Sequence, residues 1–205
     1  MTSGRRPPWI STTEELAALV DELSSSRVIA LDSESDSLHH HREKVCLVQL
    51  ASDEGHAVLV DPLAGLDMAF LAPIVASPNV VKVFHGADYD VTTMKRDFGF
   101  TFGGVFDTML AARYLGLKEV GLQAVLRDEL QVTVSKESQK DDWSHRPLTP
   151  LQEAYAIADV AYLIPLYERL RARLEETGRL AWVQEESDAV AGLDAARRER
   201  DPAAW

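Results

Sequence analysis

The chain has 205 residues, 46% of them hydrophobic, with 33 acidic against 21 basic side chains and a formal net charge of −12. That length and apolar share suit one globular domain with its own core, and no apolar run approaches the ~18 residues of a membrane span. The acidic balance argues against a tight nucleic-acid-binding module, which carries a basic footprint, and the lone cysteine, Cys46, excludes an internal disulfide.

The first segment, Met1 to Pro8, is short and polar and lacks the apolar stretch of a signal peptide, so a cytoplasmic address is expected. Residues 11–23 read as a helix. Thr12 and Glu15 have capping-box spacing, and Leu16, Val20 and Leu23 form an apolar stripe. Three strands follow, at 27–32, 45–51 and 57–61, separated by short polar segments that predict an antiparallel meander. Residues 68–76 read as a helix, 80–84 as a buried strand, and 87–98 as a helix stopped by Gly99. A brief strand at Val105-Phe106 leads to a helix capped by Asp107 or Thr108 and running to Leu115. A further helix covers 121–130. Residues 132–144 are polar and irregular, a long loop of the kind that carries function. Thr149, Pro150 and Gln152 then open a well-capped helix. Pro165 should kink or divide it. Helix resumes to about Thr177, and a last one is expected from Leu180 to about Arg197. Strands first and strand–helix alternation afterwards predict an α/β fold with a mixed sheet.

Within this frame four acids and a tyrosine stand out. Asp32 and Glu34 end the apolar run Val28-Ile29-Ala30-Leu31, and residues i and i+2 face the same side of a strand. Tyr155 and Asp159 are four apart and share a helix face. Asp90 lies in Phe84-His85-Gly86-Ala87-Asp88-Tyr89-Asp90. Carboxylates gathered at one point repel unless a cation holds them, and an all-oxygen cluster suits Mg²⁺ or Mn²⁺. Each motif alone is weak, since acidic pairs and amphipathic helices are common.

Their order along the chain resembles the ribonuclease D family of 3′-5′ exonucleases, in the tyrosine subclass of the DEDD group. The likeness runs from about Trp9 to Trp182. Leu31-Asp32-Ser33-Glu34 is similar to the first exonuclease motif, with Ser33 where the family usually has threonine. Lys82 through Asp90 is similar to the second, with Asp90 rather than Asp88 in the ligand role. Tyr155 through Asp159 is similar to the third. Asp142-Trp143-Ser144 and Arg146-Pro147-Leu148 resemble the segment before it. The histidine-using subclass would carry histidine at position 154, which is Ala154.

The resemblance implies a ribonuclease H-like fold, mixed sheet flanked by helices, and two divalent metal ions held by Asp32, Glu34, Asp90 and Asp159. These would offset about four negative charges at the place a phosphate sits. It implies that Tyr155 orients the attacking water, since a phenol with a pKa of about 10 is a better positioner than a base. The expected substrate is an RNA 3′ end, from tRNA precursors or RNA being degraded, and the products nucleoside 5′-monophosphates.

Lys136, Gln139 and Trp143 are candidate substrate contacts, lysine for phosphate and tryptophan for stacking. Trp143 reads equally well as a core anchor for the loop. His85 reads as a structural hydrogen-bonding residue or a substrate contact. His39-His40-His41 reads as a polar loop, because three consecutive histidines do not face one ion easily. Residues 1–178 are expected to form the exonuclease domain, and 179–205 a helix and tail resembling the start of a connection to a helical HRDC-type domain. Alternatives are a 3′-5′ DNA exonuclease, separated by the 2′-hydroxyl contact, a noncatalytic RNA-binding module on the same fold, and a glycoside hydrolase, separated by insensitivity to chelator.

Overall fold

A computed structural model describes residues 7–54 and 57–196. Six strands form one mixed sheet: β1 (Trp9–Ile10), β2 (Val28–Ser35), β3 (Val45–Ser52), β4 (Ala57–Val60), β5 (Val81–Phe84) and β6 (Val105–Asp107), in the order β1-β4-β3-β2-β5-β6. The predicted meander is present, since β2–β3 and β3–β4 are antiparallel. β5 and β6 extend it in parallel beyond β2, and the two-residue β1 joins β4 in parallel at the far edge. β1 has no periodicity to announce it; its pairing is set by the neighbour it meets.

Strand alternation sorts the core into two layers. Ile29 and Leu31 of β2 pack with α1 (Thr13–Leu23), the short α2 (Ala72–Ala76) and α3 (Asp88–Phe98). Ala30 faces the other layer, with α4 (Thr108–Tyr114), α5 (Leu122–Leu130), α7 (Leu163–Glu176) and α8 (Leu180–Ala191). On that second side, α6 (Pro150–Ala161) lies over β2, β3 and β4.

Local signals account for most boundaries. Thr12 and Glu15 form the predicted capping box on α1, and Thr149 and Gln152 form the one on α6. Gly99 ends α3 at φ +69°, a conformation that glycine adopts without Cβ strain. The expected helix at 68–76 begins as a 3₁₀ turn, Met68–Leu71, before α2. Pro165 divides the long helix, but the break falls at Tyr162, three residues upstream. Proline has no N–H for the carbonyl four residues back, so the ladder is lost ahead of the ring. α8 is shorter than expected and ends at Ala191, with Gly192 as its C-cap. Residues 197–205, including the expected charged end and tail, lie outside the described residues. α8 packs on β6, α4 and α3, and Ser187 Oγ accepts the Asp107 N–H at 3.2 Å. Among the described residues no helix is long and apolar enough to cross a membrane.

Candidate active site

The site forms where the sheet parts. β2 and β5 stay paired only to Ala30 and Val83, while β2 continues to Ser35 against β3 alone. Beyond that point Asp32 and Glu34 extend from β2 into an opening flanked by both helical layers. α6 brings Tyr155 and Asp159 from one layer, and the first turn of α3 brings Asp90 from the other. Gly86 makes the turn from β5 into α3 at φ +81°. Asp107 clamps that turn, accepting the Gly86 and Ala87 N–H groups at 2.9 Å each.

One carboxylate oxygen from each of Asp32, Glu34 and Asp159 lies within 4.8 Å of the others, close enough to share a cation. Asp90 is outside that trio but beside it. It is 6% exposed, and Ser33 Oγ donates to its Oδ1 at 2.5 Å. Its charge still bears on Asp32, Glu34 and Asp159.

Burial pushes all four acids up, and the charges of neighbouring acids add to it. Asp32 lies well above the ordinary carboxylate range, through desolvation first and then the charges of Asp90, Asp159 and Glu34. Glu34 is pushed up to about 9 by desolvation and then by Asp159, Asp90 and Asp141. Asp90 rises to about 7 through desolvation, with Ser33's hydrogen bond pulling it back. Asp159 rises to about 7 through desolvation, with a hydrogen bond from Tyr155 opposing. Tyr155's phenol is itself raised by burial and by Asp159, Glu34 and Asp32. It therefore stays protonated near neutral pH and is a donor, not a base. Carboxylates that resist ionising together fit hard divalent ions, which would remove the repulsion.

A pH dependence follows. Because these acids have folded pKa values above their unfolded values, the folded chain retains protons that the unfolded chain releases above about pH 4. Their contribution to stability therefore falls as pH rises through about 7, for Asp90 and Asp159, and about 9, for Glu34. In EDTA the midpoint of thermal unfolding should drop between pH 6 and 9. Excess Mn²⁺ should raise it most at the alkaline end. A gain from Mn²⁺ that is the same at pH 6 and pH 9 would contradict this coupling.

The cleft above the acids has a volume of about 380 Å³. Ser35, Ser37, Leu38 and Tyr89 line it from the β2–β3 connection and α3; Gln123, Ser135, Lys136, Gln139 and Asp141 line it from α5 and the long loop. Lys136 and Gln139 thus line the cleft beside the acids. His85 also borders the cleft, with Nδ1 2.9 Å from Thr108 Oγ1, which donates to Phe84 O at 2.8 Å. Trp143 does not reach the cleft. It is 1% exposed and packs with Cys46, Leu47, Leu59 and Leu148, its ring centroid 6.0 Å from that of Tyr155. The loop is also anchored by Arg146, whose Nε and Nη2 donate to Asp61 at 2.9 and 2.8 Å. Trp143 is therefore the core anchor and not a stacking surface.

Tyr89, Gln123 and Asp141 are among the cleft residues that the sequence did not single out. Tyr89, 42% exposed, has its hydroxyl 2.7 Å from Ser35 Oγ and 2.9 Å from Glu43 Oε2. Gln123 donates to Val134 O at 2.9 Å and steadies the start of the loop. Asp141 adds a further negative charge near Glu34. Only Tyr89 lay in a motif, and nothing in its spacing marks it. The histidine run joins loops, and among the described residues it enters no group able to hold a metal: His39 Nε2 lies 3.0 Å from Lys140 O, and His40 Nε2 lies 3.2 Å from Ser144 Oγ.

Residues 7–175 match the family model described as 3′-5′ exonuclease. The chain is 38% identical over 198 residues to the ribonuclease D of Acidiphilium cryptum (strain JF-5), covering 96% of this chain and 50% of that one. It is similar in structure to the catalytic core of RRP6 from Trypanosoma brucei, with a TM-score of 0.91 at 30% identity, covering 100% of this chain and 56% of that one. It is also similar to Escherichia coli RNase D, with a TM-score of 0.84 at 30% identity, covering 96% and 51%. The chain spans about half the length of the ribonucleases D it matches. The mixed sheet with helices on both faces is the ribonuclease H-like arrangement expected of such nucleases. The chain therefore belongs to the 3′-5′ exonuclease family, and its resemblance to the ribonuclease D branch holds.

Proposed function

We propose that this chain is a metal-dependent 3′-5′ exoribonuclease that releases nucleoside 5′-monophosphates from RNA 3′ ends, in tRNA 3′ processing or RNA degradation in the cytoplasm. The observation that carries the reading is the meeting of Asp32, Glu34 and Asp159 within 4.8 Å, on the floor of a cleft that also holds Tyr155, Lys136 and Gln139. In this reading residues 1–178 are the catalytic unit. Asp32, Glu34, Asp90 and Asp159 would hold two divalent ions, Mg²⁺ or Mn²⁺. When bound, such ions activate water and stabilise charge on the phosphate and leaving oxygen.

The chain's own groups do the rest. Tyr155 keeps its proton and donates a hydrogen bond to Asp159 in this structure; with ions bound to Asp159 that O–H would turn to the attacking water and orient it toward the terminal phosphorus. Lys136 and Gln139 receive the phosphate backbone and fix its register. With an overall charge of −12, affinity away from the cleft is low, which suits brief encounters with strand ends.

The test is a time course on matched 5′-labelled RNA and DNA strands with Mn²⁺, with Mg²⁺ and with EDTA. A ladder shortening from the RNA 3′ end, abolished by EDTA, is expected. Equal ladders on both strands would make the enzyme a general 3′-5′ exonuclease. Cleavage that persists in EDTA, or none with either metal, would overturn the reading.

A further inference from the structure

β2 turns successive side chains to opposite faces of the sheet. Asp32 and Glu34 share one face with Ala30, whereas Ser33 shares the other with Ile29 and Leu31, on the side of α3. Asp90 comes from α3, so it reaches the acidic cluster from the opposite layer to Asp159. Its charge bears on Asp32 and Glu34, and burial with the charge of Asp88 opposes its own ionisation. A buried aspartate so placed needs something to hold its rotamer.

Ser33 Oγ supplies the contact. It donates to Asp90 Oδ1 at 2.5 Å. A serine hydroxyl has one proton, and this bond commits it. One Asp90 oxygen accepts this bond, and the carboxyl also accepts from the backbone N–H groups of Ser33 and of Asp90 itself.

We infer that Ser33 is a positioning residue whose hydroxyl fixes the Asp90 carboxyl beside the point where Asp32, Glu34 and Asp159 converge, and so raises the site's affinity for divalent ions. This rests on the reading of the cluster as a metal centre. Ser33 touches neither substrate nor ion in this role; it acts through Asp90.

The test is Mn²⁺ titration, by calorimetry or by the signal of free Mn²⁺ in electron paramagnetic resonance, on wild type, Ser33→Ala, Ser33→Cys and Ser33→Thr, with turnover measured at limiting and saturating Mn²⁺. Ser33→Ala should lose roughly 10- to 100-fold in Mn²⁺ affinity, the range seen when a metal ligand loses its hydrogen-bonding partner. Ser33→Cys, near in size but a weak donor, should behave alike, and serves if the alanine variant folds poorly. Ser33→Thr keeps the hydroxyl and should bind as wild type does. Much of the lost turnover should return at saturating Mn²⁺. Equal affinity in wild type and Ser33→Ala or Ser33→Cys overturns the role of Ser33 alone. Wild type that binds no Mn²⁺ overturns the metal centre and this inference together.

Discussion

Asp32→Asn should leave a folded protein that no longer shortens RNA. Asp32 stands among Glu34, Asp90 and Asp159, and its carboxyl is forced well above its ordinary range by burial and by their charges. Asparagine replaces a carboxyl whose ionisation is opposed by burial and by its neighbours, so thermal stability in EDTA should hold at neutral pH and rise at alkaline pH, where that charge would form. The same change removes a ligand from the proposed metal centre. Losing a single group directed at transition-state charge costs about 10²–10³ in turnover, and a missing metal ligand should cost at least that. The paired measurement is the rate of 3′ shortening on labelled RNA beside the unfolding midpoint in EDTA. Lost activity with preserved stability supports the assignment. Lost activity with a large fall in stability would point to misfolding, and full activity would remove Asp32 from the mechanism. Asp159→Asn should follow the same pattern, since its carboxyl shares the cluster.

Tyr155→Phe should slow turnover by about 10²-fold, at the lower end of what positioned proton-handling groups contribute, while Mn²⁺ affinity stays close to that of wild type. The distinction comes from the phenol's electrostatics. Burial and three neighbouring acids raise it, so it remains protonated where the enzyme would work. A group that does not titrate there leaves the alkaline limb of the pH–rate profile unchanged when it is removed. Wild type and Tyr155→Phe should therefore share that limb and differ in height. A limb that shifts in Tyr155→Phe would make Tyr155 a titrating base, and an equal rate would exclude it from the reaction. The ring packs against buried Trp143, and phenylalanine preserves that contact. Loss of fold is not the expected cause of a slower enzyme.

The sequence by itself determined what depends on neighbours a few residues apart. Thr12 with Glu15, and Thr149 with Gln152, mark helix starts through bonds that close within one turn. The i, i+2 spacing of Asp32 and Glu34 and the i, i+4 spacing of Tyr155 and Asp159 bring each pair to one face of its element, and the fold presents both pairs to the same cleft. Tertiary structure alone decided what rests on contacts across long stretches of chain. No local pattern shows that β2 parts from β5 after Ala30, and that parting is what admits Asp90. The partner of Ser33 lies 57 residues away, so the hydroxyl reads in sequence only as a tolerated substitution. Trp143 suits stacking or anchoring equally until the core around Cys46 and Leu148 closes over it. Periodicity and capping are written residue by residue, whereas burial and the meeting of like charges are properties of the packed chain.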